Sequence, residues 1–589
     1  MPTVASPVMM TTMRYGANPR EDGRAEFRVW APNAKRVRLR LAGKPEVEMR
    51  RESDGSFSVE AAARPGDRYL YVVVDENGGE NKPVPDPVSR LLPEGVHGAT
   101  EIVDPNAFRW SDASREPAWR GLALREYVLY ELHVGTFTRE GTFDAVIPRL
   151  AELKALGVTA IELMPVAAFP GTRGWGYDGV SPYAVQASYG GPDGLKRLVD
   201  AAHATGLAVI QDVVYNHLGP EGNYLRMFGP YFTSKYETPW GEAVNYDGAG
   251  SDGVRRYFLE NAAYWVREYH MDGLRLDAVH TIHDRSLQPV LAELTADIDA
   301  LEQELKRTIL VIAESDANDA LLVRPRAQGG YGLDAVWSDD FHHAVHALFT
   351  GERRGYYQDF GRPEQIAQAL NEGFVYQGEH FKYWGRPRGT KPAGMCGEQH
   401  VINLQNHDQV GNRAHGERLT VLIPRGARKV AAALLLLAPE TPLLFMGQEY
   451  DEQNPFLFFT SFGDPALKQA VGEGRRKEFA QFGFADTPDP EDPQTFERSK
   501  LSWQPGTEMW QWHQRLLELR REYVMPAERK CNTRVEGGVL TMRVGGLLVQ
   551  AGLQPGAKVR PSDGRVLVES DEDGYQVKIF ATDSTDQHG

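Results

Sequence analysis

Eight short apolar runs, six of them closing on a polar or acidic residue, punctuate the middle of this chain and alternate with longer stretches of helical periodicity. They are Val128–His133, Thr159–Val166, Ala208–Asp212, Gly273–Asp277, Leu310–Glu314, Ala335–Asp339, Val401–Asn406 and Pro442–Gly447. Between them lie segments such as Phe143–Leu156, Asp193–Ala204, Val254–Tyr269, Leu287–Lys306 and Ala427–Leu437. Runs with no polar alternation are strands buried on both faces, and parallel strands need helical crossovers. Eight strand–helix units over roughly 400 residues predict a (β/α)8 barrel, because a doubly wound sheet seldom needs so many buried strands.

The flanks read differently. Ala25–Trp30, Arg36–Leu41 and Tyr69–Val74 are short alternating strands between Gly and Asp turns, which predicts an N-terminal β-sandwich over residues 1–112. The barrel is expected over 113–525, with a Gly-, Pro- and Tyr-rich loop inserted at 217–252. An amphipathic helix near Met509–Tyr523 precedes renewed alternation at Val535–Val544, Leu547–Ala551 and Gln576–Phe580, so a small C-terminal β domain is expected over 526–589. With 65 basic against 81 acidic side chains, the formal charge of −16 disfavours nucleic acid and anionic membranes as partners. Two cysteines, Cys396 and Cys531, offer neither a disulfide framework nor a thiolate metal site. The start of the chain shows no signal-like run, and the longest apolar stretch, Val430–Ala438, is far short of a bilayer span. A soluble, cytoplasmic protein is therefore the expectation.

In a barrel of this kind the C-terminal ends of the strands face the site. Asp212 ends the third strand, Arg275 and Asp277 the fourth, Glu314 the fifth, and His407-Asp408 follow the seventh. Converging carboxylates with an arginine, histidines and no thiol suit glycoside chemistry: the transition state is a cationic sugar ring, and one carboxylic acid must protonate the leaving oxygen. A single aspartate at a strand end is more often a helix cap or loop ion-pair member, which applies to Asp212 and Asp316 taken alone. Tyr177, in the loop after the second strand, offers a face for sugar stacking, whereas Trp175 and Tyr183 are as readily loop packing. The cluster Asp339-Asp340-Phe341-His342-His343 at the sixth strand could read as a metal site, but contiguous residues point in several directions and no second His or Cys pair supports it.

These motifs resemble the α-amylase superfamily, glycoside hydrolase family 13, through Asp212–His217, Gly273–His280, the Glu314 strand end and Asn406-His407-Asp408. The resemblance implies that Asp277 is the nucleophile, Glu314 the general acid/base and Asp408 the carboxylate that holds the distorted sugar. It further implies that Arg275 orients Asp277, that His217 and His407 touch sugar hydroxyls, that Tyr177 stacks beneath that ring, and that Asp212 is structural. Phe27–Pro32 is similar to the carbohydrate-binding-like module shared by branching enzymes, isoamylases and trehalohydrolases, and Tyr130–Thr138 to the subgroup of branching enzymes and trehalohydrolases; Asn216–Tyr224, Pro230–Thr233, Asp339–Ala344, Thr350–Glu352 and Gly355–Tyr357 are similar to the trehalohydrolase branch. In that branch the stretch from Arg275 to His280, the cluster Asp339, Asp340, Phe341, His342 and His343, and the stretch holding His407, Gln409 and Asn412 line the cleft. The implied substrate is maltooligosyltrehalose or a related α-glucan, with no cofactor and no metal. Asn216 matches an amylase calcium-ligand position, but the short loop after it lacks the aspartate-bearing subdomain that completes such a site. Branching and α-1,6 debranching enzymes share the carboxylates, so they remain alternatives, as does, more distantly, a non-catalytic glucan-binding protein.

Overall fold

All eight apolar runs become parallel strands, and they close on themselves in sequence order. In the computed structural model, which describes residues 13–111, 118–480, 486–527, 531–562 and 564–582, the strands are Leu129–Leu132, Ala160–Leu163, Ala208–Val213, Gly273–Leu276, Leu310–Ala313, Ala335–Trp337, His400–Asn403 and Thr441–Phe445. All but the third stop short of the end of their apolar run, because pairing ends where the last residues turn into the loops that form the mouth. Tyr127, Leu129, Ala160, Ile210, Ile312 and Val401 fill the lower barrel as one apolar cluster, so the lumen is packed core and the mouth is the open end.

Crossover helices Gly191–Thr205, Ser251–Glu268, Val290–Leu305 and Arg425–Leu437 cover the outside, with their apolar stripes buried. The sixth strand ends at Trp337, and Asp339 begins a helix, Asp339–Thr350, rather than extending the strand. The loop after the third strand carries a hairpin, Phe232–Thr238 with Gly241–Val244. No helix among the described residues is long and apolar enough to cross a membrane.

The N-terminal sandwich has two four-stranded sheets, one containing Arg24–Trp30 and Ser56–Ala62, the other Ala34–Leu41 and Arg68–Asp75. Phe27, Val29, Val37, Leu39, Phe57 and Tyr71 lie between them and are buried. Two contacts weld this module to the barrel. Trp30 meets Tyr231 edge-on at 5.4 Å and lies so near helix Ser251–Glu268 that a Cβ on Gly253 would fall 2.0 Å from its ring, with Gly229 at 2.9 Å on the same ring. Arg90 donates through Nε to both oxygens of Glu268, at 3.0 and 3.1 Å, with both side chains out of solvent. The C-terminal domain is a five-stranded antiparallel sheet. Its expected run Val535–Val544 is broken by Gly537 and Gly538, both at positive φ, into hairpin strands Asn532–Glu536 and Val539–Val544. That is the two-residue turn that a Gly-Gly pair encodes.

Candidate active site

Strand alternation places Arg275 and Asp277 on the same inward face of the fourth strand, and register sets Arg275 beside Asp212 of the third. The guanidinium is wholly buried. Its Nη1 donates to Asp277 Oδ1 at 2.9 Å and to both oxygens of Asp212 at 3.0 Å, while Nη2 stands 3.6 Å from Glu314 Oε2. Trp337 of the sixth strand supports its face at 4.4 Å. One cation thus gathers carboxylates from three strands, the arrangement that a rigid planar fork permits.

Burial pushes the Glu314 carboxyl well above the ordinary range; the Arg275 charge opposes this, and the negative charges of Asp277, Asp408 and Asp339 reinforce it. Burial likewise raises Asp212 to about 6 against the pull of Arg275. Between Asp277 and Glu314 the backbone makes a sharp turn. Ala278 sits at φ 37° and ψ 49°, a left-handed conformation that costs a non-glycine residue about 1–3 kcal/mol. The turn aims the Ala278 N–H at Glu314 Oε2, to which it donates.

Three residues past the seventh strand, Asn406 caps the short helix His407–Gly411 by accepting the Gln409 N–H on its side chain. Asp408 stands half exposed in the first turn, accepts from Asn412 Nδ2 at 2.9 Å and lies 3.6 Å from His407 Nε2. The His407 ring stacks on Tyr177, centroids 5.0 Å apart, and the Tyr177 hydroxyl donates to Asp212 at 2.6 Å. One face and the hydroxyl of Tyr177 are therefore engaged within the protein. His217 lies 3.1 Å from the Tyr177 carbonyl through Nε2 and stacks at 4.1 Å on Trp240, from the hairpin loop. His280 is exposed on the turn after the fourth strand, with Nε2 3.4 Å from Asp316 Oδ1.

A cavity of about 760 Å³ opens beside Glu314 and Asp408 and is walled by Asp339, His343, Gln409 and Asn412 together with Tyr356, Tyr383 and Trp384. Asp277, Arg275, Tyr177, His217 and His407 are not among the residues that line this cavity. Helical geometry splits the cluster after the sixth strand, since residues four apart share a face. Asp339 accepts from Gln409 Nε2 at 3.2 Å and is pushed up to about 7 by burial; His343 shares its wall. Asp340, Phe341 and His342, expected to line the cleft, turn away from the cavity. Asp340 pairs with Arg388 at 2.7 Å and accepts from the Val375 and Tyr376 amides. Phe341 is core. His342 is held between the Leu404 carbonyl and the Tyr357 hydroxyl.

Sequence reasoning passed over Trp240, Trp337, Tyr383, Trp384 and Arg388. Trp337 ends an apolar run and so reads as core, and the others sit in loops without periodicity. Asn216 donates through Nδ2 to Thr281 Oγ1 at 3.1 Å, tying two mouth loops together. Among the described residues, no group of three or more His, Cys, Asp and Glu side chains is arranged to hold a metal ion.

Known proteins share this architecture. Residues 102–237 match the family model for the alpha amylase catalytic domain, and residues 14–89 match carbohydrate-binding module 48, the isoamylase N-terminal domain. The chain is 47% identical over 537 residues to a malto-oligosyltrehalose trehalohydrolase of Saccharolobus solfataricus, covering 91% of this chain and 92% of that one. It is 47% identical over 527 residues to the enzyme of the same name from Rhizobium sp., covering 87% and 86%. A solved Salmonella typhimurium structure assigned to the alpha amylases superposes with a TM-score of 0.88 at 41% identity, covering 97% of this chain and all of that one.

Proposed function

This chain belongs to the malto-oligosyltrehalose trehalohydrolases, glycoside hydrolases of the α-amylase family, and from that premise we propose that it cleaves the α-1,4 bond next to the terminal trehalose unit of maltooligosyltrehalose, releasing trehalose. Asp277 attacks the anomeric carbon while Glu314 protonates the departing glucosyl oxygen. Glu314 then takes a proton from water, which hydrolyses the glycosyl-enzyme with net retention. Carboxyl groups about 5–5.5 Å apart are what this two-step route requires. Asp408 holds the distorted ring, and His217 and His407 hold its hydroxyls.

The observation that carries the reading is the single Arg275 guanidinium between Asp277 and Glu314. It holds Asp277 in place by a direct hydrogen bond, while burial keeps on Glu314 the proton that the acid of a retaining glycosidase needs. The cavity on the Glu314 and Asp408 side supplies room for a leaving disaccharide. Incubating the pure protein in parallel with maltotriosyltrehalose, amylose and a branched glucan tests it. Prompt trehalose from the first alone, abolished in Asp277→Asn, is expected; debranching or remodelling of the third without trehalose refutes the substrate.

A further inference from the structure

Glu131 lies within the first barrel strand, one residue before its end, and is 1% exposed; both of its oxygens are spent on one residue. Oε1 lies 2.5 Å from His407 Nδ1, and Oε2 accepts the His407 backbone N–H at 3.0 Å. A carboxylate that grips the ring and the main chain of one histidine fixes its rotamer, and its place on Nδ1 dictates a proton there. The other nitrogen, Nε2, has Asp408 Oδ1 at 3.6 Å. Tyr177 covers a face of the ring, and Trp175 meets it edge-on at 5.6 Å, so the imidazole cannot swing out.

Every element around the ring contributes charge. Glu131 from the first strand and Asp408 from its own helix favour the imidazolium; Arg275 from the fourth strand opposes it, as does His133 after the first strand through its repulsion with His407. Burial holds two nearby carboxyls, Asp212 and Glu162, above their ordinary range, and keeps the Tyr177 hydroxyl protonated. Glu162 is the register partner of Glu131 on the second strand; neither of its oxygens has a hydrogen-bond partner, so it does not compete for His407. Burial alone lowers His407, but the two carboxylates outweigh it and raise the ring to about 9.

We propose that Glu131 is a positioning residue of this active site, which by gripping the ring and backbone of His407 fixes the imidazolium that faces Asp408 and the sugar. The inference rests on the reading of His407 and Asp408 as sugar-binding groups, and it assigns Glu131 no contact with substrate.

In Glu131→Gln the ring keeps a neutral acceptor at Nδ1 but loses its counter-charge, and the His407 backbone N–H, now facing the amide nitrogen, loses its acceptor. The expected result is a fall in kcat on the order of 10- to 100-fold, as for one lost charge-assisted hydrogen bond. KM stays within about twofold, and the alkaline limb of kcat moves at least about one pH unit toward acid. In a His407→Gln background the same change costs much less, because the residue through which Glu131 acts is gone. An equal loss at every pH with the limb unmoved, or a full loss in the His407→Gln background, makes Glu131 structural and overturns the proposal. A readout that needs no foldable variant of Glu131 is ¹⁵N-histidine spectroscopy of the native protein, with the His407 ring identified by its absence in His407→Gln. The ring stays doubly protonated through about pH 8 if the inference holds; a ring neutral by pH 7 overturns it. If maltotriosyltrehalose is not cleaved but another α-glucan is, the substrate reading fails while the pH test runs on that glucan.

Discussion

Arg275→Lys keeps the positive charge at the centre of the site and changes only its geometry. A lysine Nζ falls where the guanidinium carbon lies, about 1.3 Å short of Nη1. Asp277 Oδ1, now 2.9 Å from Nη1, would then stand roughly 4 Å from the ammonium, beyond hydrogen-bond reach. The two Asp212 contacts retreat equally, and the carboxylates cannot follow, because each is anchored on a paired strand. One charge-assisted hydrogen bond to the proposed nucleophile is worth about 1.5–3 kcal/mol, which corresponds to a loss on the order of 10- to 150-fold in kcat. KM should change little, since Arg275 is wholly buried and offers no surface to substrate. Initial rates of trehalose release over a range of maltotriosyltrehalose concentrations measure both terms, with a thermal melt to establish folding. A folded variant with kcat within about twofold of native, or with the loss entirely in KM, would refute the argument that the planar fork sets the position of Asp277.

Two other outcomes follow from the burial of charge. The folded-state pKa of Glu314 is raised, so the stability this group contributes is fully present below its unfolded value of about 4.3 and is lost as pH rises through the folded value. Glu314→Gln has no charge to bury; its melting temperature should therefore gain on the native protein progressively as pH rises above about 4.3, and a difference that stays constant with pH counts against the sign. Arg90→Met strips the fully buried Glu268 of its partner. Because Lys196 Nζ remains 3.7 Å away, the cost should sit near the low end of the range for a broken buried pair, about 3 kcal/mol. Calorimetry should show an earlier first transition, partly restored by adding Glu268→Gln; an unchanged profile argues that Lys196 alone neutralises the site.

The barrel was legible because a strand buried on both faces leaves an uninterrupted apolar run, and eight of them leave little choice of closure. Asp277, Glu314 and Asp408 were nameable because each directly follows such a run or its capping turn. What was not legible depended on which period governs a short polar segment. Asp339 to His343, taken as a strand end, form the first turn of a helix, and the switch of period carries three of the five residues away from the cavity. The aromatic wall was hidden for another reason: Tyr383 and Trp384 lie on a two-residue hairpin, His380–Phe381 with Arg386–Pro387, where nothing repeats. Glu131 stood within a strand and read as part of a pattern, its role arising only from the approach of His407 across the mouth.

The slot formed by Gly229 and Gly253 around Trp30 bears on how such enzymes can be recombined. It is a lock cut for one key: the tryptophan belongs to the sandwich, and the two glycines belong to the barrel. Exchanging the N-terminal module with that of a relative that lacks the tryptophan would leave a hole beneath helix Ser251–Glu268, and a donor barrel with an alanine at either glycine would not seat the ring. Successful chimaeras should therefore break the chain after the linker but inherit residues 229, 230, 231 and 253 from the module's own parent.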